Sequence, residues 1–160
     1  MSDAPSGQAD IARTLAEQWR EVRKGLLEIT EKLPESRVSR ATERAGWTLR
    51  HELASLASID QEVAHLLAAA RSGAVTLDAV AIRRLRGEAM HAAQELRLAP
   101  LREHLADGGE RAARAIEEAE AFLATSLSLA GKETTTVLEH VRAQLKRTSA
   151  SIDVIGKHLD

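Results

Sequence analysis

Apolar residues recur every three or four positions through most of this chain, and the longest such run sets its organisation. Between Gly46 and Ala70, the residues Leu49, Leu53, Leu56, Val63, Leu67 and Ala70 fall in one stripe roughly 60° wide at about 100° per residue, as in an amphipathic helix. Gly46 can adopt a turn conformation closed to other residues. Trp47 brings a large ring to bury, and Thr48 a hydroxyl that can accept a backbone N–H at the helix start. Arg71-Ser72-Gly73 closes the run with a basic last turn and a glycine just beyond. One acid, Asp60, lies inside the apolar stripe.

The same spacing predicts the other helices. Helix one is expected from about Ala9 to Lys32, with Ile11, Leu15, Trp19, Val22, Leu26, Ile29 and Leu33 on its inner face and Pro34 as its stop. Residues 1–8 are small and polar and are expected to be a frayed, disordered N-terminus, leaving 9–160 as a single domain. Residues 34–46 form a polar connection. A third helical segment is expected after Thr76, with Leu77, Ala81, Leu85, Ala89, Ala92 and Leu96 on one side. Pro100 suits the first position of the next helix, whose inner face is Leu101, Leu105, Ala112, Ile116, Ala119 and Leu123. Gly108-Gly109 interrupts that pattern and predicts a bend or a close helix contact. Residues 125–132 read as a loop. A capping box at Thr136 and Glu139 then starts a last helix lined by Val137 or Leu138, Val141, Leu145, Ile152, Ile155 and Leu159. No alternating strand pattern is visible. The expected fold is all-α: a four-helix bundle with an additional helical segment between helices two and three.

Composition narrows the function classes. At 160 residues the chain can bury about 70% of its unfolded surface as one domain. Lys and Arg number 22 against 24 Asp and Glu, so no global field points to nucleic acid or to an anionic membrane. Trp19, Trp47 and Phe122 are the only aromatic residues of the Phe, Trp and Tyr set, too few for base-stacking platforms. The absence of cysteine removes disulfides, thiolate nucleophiles and zinc–cysteine sites, and fits a cytoplasmic location. Met1 to Ala9 has no apolar segment of a signal peptide, and no run approaches the ~20 apolar residues of a membrane span. A soluble protein is expected.

Gly46-Trp47-Thr48-x-Arg50, followed by Leu53-Ala54-x-Leu56-Ala57 and Asp60, resembles the helix-two signature of DinB/YfiT-like proteins, nearest the N-terminal domain of mycothiol-dependent maleylpyruvate isomerases. The resemblance implies a four-helix bundle. It also implies a divalent metal, zinc or nickel, held by one histidine of helix two and two histidines four residues apart on the last helix. The matching positions here are Ser55, Gln144 and Thr148. Neutral amide and hydroxyl oxygens replace imidazole poorly, so the metal site reads as degenerate and no cofactor is expected. Relatives often carry aspartate where this chain has His51, which forgoes the favourable charge at a helix start.

Other residues offer chemistry. His140, one turn before Gln144, is a candidate shifted ligand, but it lies roughly 110° from the helix's apolar centre and is expected to face solvent or the groove edge. Glu62/His65 and Glu88/His91 form two Glu-x-x-His pairs, the spacing of ferritin-like di-iron sites. On the helical wheel both histidines point away from their apolar stripes. Asp60 must be paired, or its pKa rises; Arg50, Arg83, Arg84 and Arg86 are the candidate partners. Arg83-Arg84-x-Arg86 could hold a phosphate or carboxylate, or be a solvated helix face.

Three functions follow in order of expectation. The first is a metal-free binding or interaction module, a homodimer through alanine-rich faces such as Ala89 to Ala93, with a small-molecule ligand. The second, implied by the resemblance, is a metal- or thiol-dependent transferase or isomerase with a remodelled cleft around Ser55, Asp60, His140, Gln144 and Thr148, using a low-molecular-weight thiol. A di-metal ferritin-like protein is a third, weaker reading.

Overall fold

The computed structural model describes residues 4–159. Five helices carry the fold: α1 (Ala4–Glu31), α2 (Leu49–Ala70), α3 (Ala79–Gln94), α4 (Leu98–Glu117) and α5 (Val137–Gly156). Helices α1, α2, α4 and α5 form the bundle, in which α4 and α5 each pack against both α1 and α2, while α3 packs against α2. The all-α bundle with an inserted helix is thus the observed architecture.

The expected stripe of α2 is buried along its whole length, with Leu49, Leu53, Leu56, Val63, Leu67 and Ala70 each 0–1% exposed. Trp19, Leu26, Leu101, Leu105 and Ile116 complete the centre from α1 and α4. Gly46 has φ +77°, and Thr48 caps α2. His51 takes the position of an acid in that cap. Its Nδ1 accepts the Thr48 backbone N–H at 2.9 Å while the Thr48 hydroxyl accepts from the His51 backbone N–H. A neutral imidazole thereby closes the capping box that a carboxylate usually closes. Trp47 is half-buried rather than engulfed, with the Arg44 guanidinium 4.3 Å above its ring.

Several boundaries differ from the sequence reading. Helix α1 begins at Ala4, so part of the segment expected to be frayed is helical; residues 1–3 lie outside the described residues. Helix α3 starts later than expected, where the Asp78 carboxylate accepts the Ala81 N–H at 2.8 Å. Helix α4 starts earlier, with Pro100 in its third position rather than its first, where a missing N–H costs no helix bond. Its first turn is completed from outside: Glu35 Oε2 accepts the Leu98 N–H at 2.8 Å, and Glu35 Oε1 pairs with Arg50 at 2.8 Å. Thr136 caps α5, but Glu139 accepts from the Thr135 hydroxyl and not from the cap backbone.

The absence of strands was a misreading. Strands β1 (Val75–Leu77), β2 (Ser126–Leu129) and β3 (Thr135–Thr136) form a small sheet ordered β1-β2-β3, with β1 parallel to β2 and β2 antiparallel to β3. Segments of two to four residues are too short to show alternation, and the β1–β2 pairing joins two connections distant in sequence. The β2–β3 turn passes through Ala130 (φ +56°) and Gly131 (φ +71°), and Ala130 donates its N–H to the Leu77 carbonyl at 2.7 Å.

Among the described residues no helix is long and apolar enough to cross a membrane. Ala89 and Ala93 are buried (3% and 0% exposed), on a helix that packs against α2. They are used within the chain, so that face no longer argues for a homodimer.

Candidate functional site

Polar side chains reach the interior in several places, and the sequence reading had merged two of them. The first is on the α1 side of the bundle. Asp60 is 0% exposed. Its Oδ1 accepts from Trp19 Nε1 (3.0 Å), Arg23 Nε (2.9 Å) and Arg23 Nη2. Arg23, 4% exposed, also reaches the Leu56 carbonyl at 3.2 Å and lies 5.5 Å from the centre of the Trp19 ring. None of the expected arginine partners is involved. Burial pushes the Asp60 carboxyl up, while the Arg23 charge and the hydrogen bonds from Arg23 and Trp19 draw it back down. Asp60 Oδ2 and Arg23 Nη1 have no hydrogen-bond partner among the described residues.

The glycine pair explains how this pair fits. A Cβ on Gly109 would lie 2.9 Å from Arg23 Cγ, and one on Gly108 would lie 3.6 Å from Asp60 Cβ. Helix α4 continues through both glycines without a break. The close-contact expectation therefore holds, with an arginine side chain as the neighbour.

The second place is a cavity of about 190 Å³ between α3, α5 and the β2–β3 hairpin. Its lining includes Ile82, Arg86, Leu129, Lys132, His140 and Gln144. His140 and Gln144 are 6% and 8% exposed, so of the two expectations for His140, solvent or the groove edge, the first is corrected and the second agrees with its place in the cavity lining. The wheel measured its angle from α5's own apolar centre and took no account of the inserted helix and hairpin on that side. His140 Nε2, Gln144 Oε1 and Thr148 Oγ1, on successive turns of α5, are buried without hydrogen-bond partners among the described residues. Beside them Arg86 holds Glu62 through two bonds, Nε to Oε2 and Nη2 to Oε1, both 2.8 Å, and Glu62 is 1% exposed. Ser55 and Ser58 are also buried on α2, and Ser58 Oγ donates to the Arg86 carbonyl at 3.3 Å.

Of the five residues expected to share a cleft, His140 and Gln144 line this cavity. Thr148 is buried a turn further along α5, and neither it nor Ser55 is part of the lining. Asp60 belongs to the other polar place. The Arg83, Arg84 and Arg86 cluster does not assemble as an anion site: Arg86 is committed to Glu62, Arg83 Nε bonds the Ala79 carbonyl, and Arg84 is exposed. The di-metal reading fails on geometry, since His65, His91 and Glu88 are all exposed. Sequence reasoning missed Arg23, although its place one turn after Trp19 puts it on the inner face of α1. It also missed the pairing of Glu62 with Arg86.

Burial pushes the His140 imidazole down; the Glu62 charge opposes this, and the Arg86 charge adds to it. Between the depressed folded value and the ordinary 6.5, the unfolded chain holds more protons at this site than the folded one. The stability associated with neutral His140 is therefore complete above about pH 6.5 and is lost as pH falls through the folded value. Thermal melts at pH 7.5 and 5.0 should show a larger fall for the native chain than for His140→Gln. Equal falls would mean that His140 does not titrate differently in the two states.

The cavity does not fit a divalent metal. Its lining offers one imidazole, His140, one exposed carboxylate, Glu133, and the neutral Gln144. Both oxygens of the neighbouring Glu62 are taken by Arg86, and Ser55 and Thr148, at the other positions matched to metal ligands, carry only hydroxyls outside the lining. Among the described residues no group of three or more His, Cys, Asp or Glu side chains is arranged to hold a metal ion.

The fold itself has a solved counterpart. The crystal structure of the mycothiol-dependent maleylpyruvate isomerase is similar to this chain with a TM-score of 0.69 and 16% sequence identity, over 98% of this chain and 64% of that one. The chain shares the fold of that part of the isomerase. At this identity the likeness is one of fold, and the chain spans 64% of the isomerase's length. No protein-family model matches the sequence, and no curated protein matches it.

Proposed function

We propose that this chain is a binding module that works without a metal and takes a small molecule into the cavity between α3, α5 and the β2–β3 hairpin. The observation that carries this reading is the pair His140 and Gln144, buried, unpartnered and lining that cavity. A buried polar atom left without a hydrogen bond costs about 1–3 kcal/mol, so two of them beside a cavity favour an occupant that bonds them. The lack of cysteine supports a cytoplasmic location for the module.

A thiol-dependent transferase or isomerase is the second reading, supported by the fold shared with a mycothiol-dependent enzyme. It would use the same cavity, with a low-molecular-weight thiol as co-substrate.

Metal content is the deciding measurement. Protein purified without tag or chelator, then incubated with zinc, nickel, manganese or iron and desalted, is expected to retain far less than one equivalent by elemental analysis. Retention near one equivalent would overturn the metal-free reading and make His140 the first residue to substitute.

A further inference from the structure

The charges around the cavity cancel. Arg86 is matched by Glu62 through two bonds. The exposed Lys132 has Glu133 beside it on the hairpin, and both line the cavity. Burial favours the neutral form of His140. The groups left unsatisfied are uncharged and of mixed character: Gln144 Oε1 accepts, and His140 Nε2 can donate or accept. Arg86 lines the same cavity, and its Nη1 has no hydrogen-bond partner among the described residues.

We propose that the cavity is selective for small uncharged ligands with an amide edge, an N–H donor next to a carbonyl acceptor, as in a primary carboxamide, urea or lactam. This rests on the reading that the cavity is a small-molecule site. The ligand N–H bonds Gln144 Oε1, and its carbonyl accepts from His140 Nε2–H or Arg86 Nη1–H. Ile82 and Leu129 cover the apolar remainder.

An isosteric carboxylate fits worse for two reasons. It has no N–H for Gln144 Oε1, and it brings a net charge into a place where the available cation is already neutralised by Glu62. Turning the Gln144 amide round would answer the first objection but not the second. A cationic analogue meets the same charge imbalance with the opposite sign, and it faces the guanidinium of Arg86.

Benzamide and benzoate, equal in size and differing in charge, test this on the full chain. Titrations followed by ¹H–¹⁵N NMR are expected to show benzamide shifting the signals of residues 82, 86, 129–133, 140 and 144, with an affinity at least about tenfold above that of benzoate, or 1.4 kcal/mol. Gln144→Leu should lower benzamide affinity by a similar factor. The substitution removes an acceptor that has no partner among the described residues, so the variant is expected to fold. Benzoate binding at these residues as tightly as benzamide would overturn the amide selectivity and leave the small-molecule site standing. Unchanged benzamide affinity in Gln144→Leu would also overturn it. Failure of both probes to shift these residues would overturn the selectivity and the site together.

Discussion

Replacing Arg23 with methionine is expected to destabilise the protein by about 3–5 kcal/mol, because it leaves a charge buried without its partner. Asp60 is 0% exposed, and without the guanidinium its Oδ1 would keep only the Trp19 N–H. The carboxyl would then be driven further towards its protonated form, since burial already pushes it up and the Arg23 charge is the largest effect drawing it back. Asp60→Leu alone should cost a similar amount, by stranding Arg23 among α1, α2 and α4. The double variant Arg23→Met with Asp60→Leu should recover most of the loss, because replacing both partners with apolar groups of similar volume is often neutral or stabilising. Urea unfolding of the four proteins gives the coupling energy directly. A double variant as unstable as the sum of the singles would mean that the two side chains contribute independently.

The second large effect is expected at Arg86. Arg86→Met leaves Glu62, 1% exposed, without both of its hydrogen bonds, and should cost about 1.5–3 kcal/mol, the range for hydrogen bonds to charged groups. It should also move the His140 titration upward. Glu62 favours the charged imidazole and Arg86 opposes it, so removing the cation leaves the acid acting alone. Adding Glu62→Gln should restore both stability and titration towards the native values. An NMR titration of His140 that is the same in the native chain and in Arg86→Met would show that the imidazole is insensitive to this pair.

How much of this could be read in advance depended on how far apart the responsible residues lie in sequence. The face of α2 was legible because Leu49 to Ala70 carries its own three-and-four spacing, and burial of that stripe follows from it alone. Gly46 and Thr48 were legible for the same local reason. The Gly108-Gly109 contact was legible as a need for space, but its occupant was not, since Arg23 arrives from another helix. The Arg23–Asp60 pair spans 37 positions, beyond any local pattern. The sheet escaped notice because its longest parallel partners, Val75–Leu77 and Ser126–Leu129, pair across the inserted helix and α4. His140 shows the limit of a single-helix wheel. One angle describes a helix with one covered side, whereas α5 is covered by the bundle on one side and bordered by α3 and the hairpin on another. The split between the Asp60 and His140 sites has the same origin: α2 is covered on more than one side, so residues 60 and 62, both buried, serve different neighbours.

The Arg86–Glu62 pair has a further consequence for the protein's life in a changing environment. The cation that neutralises the buried acid is part of the polypeptide, fixed at one copy per chain and delivered when α3 docks on α2. It cannot be stripped by a chelator, exchanged for a competing ion, or left vacant when an ion is scarce. Neutralisation of Glu62 therefore needs no loading step, and newly made chains form this pair whatever the supply of trace elements around them.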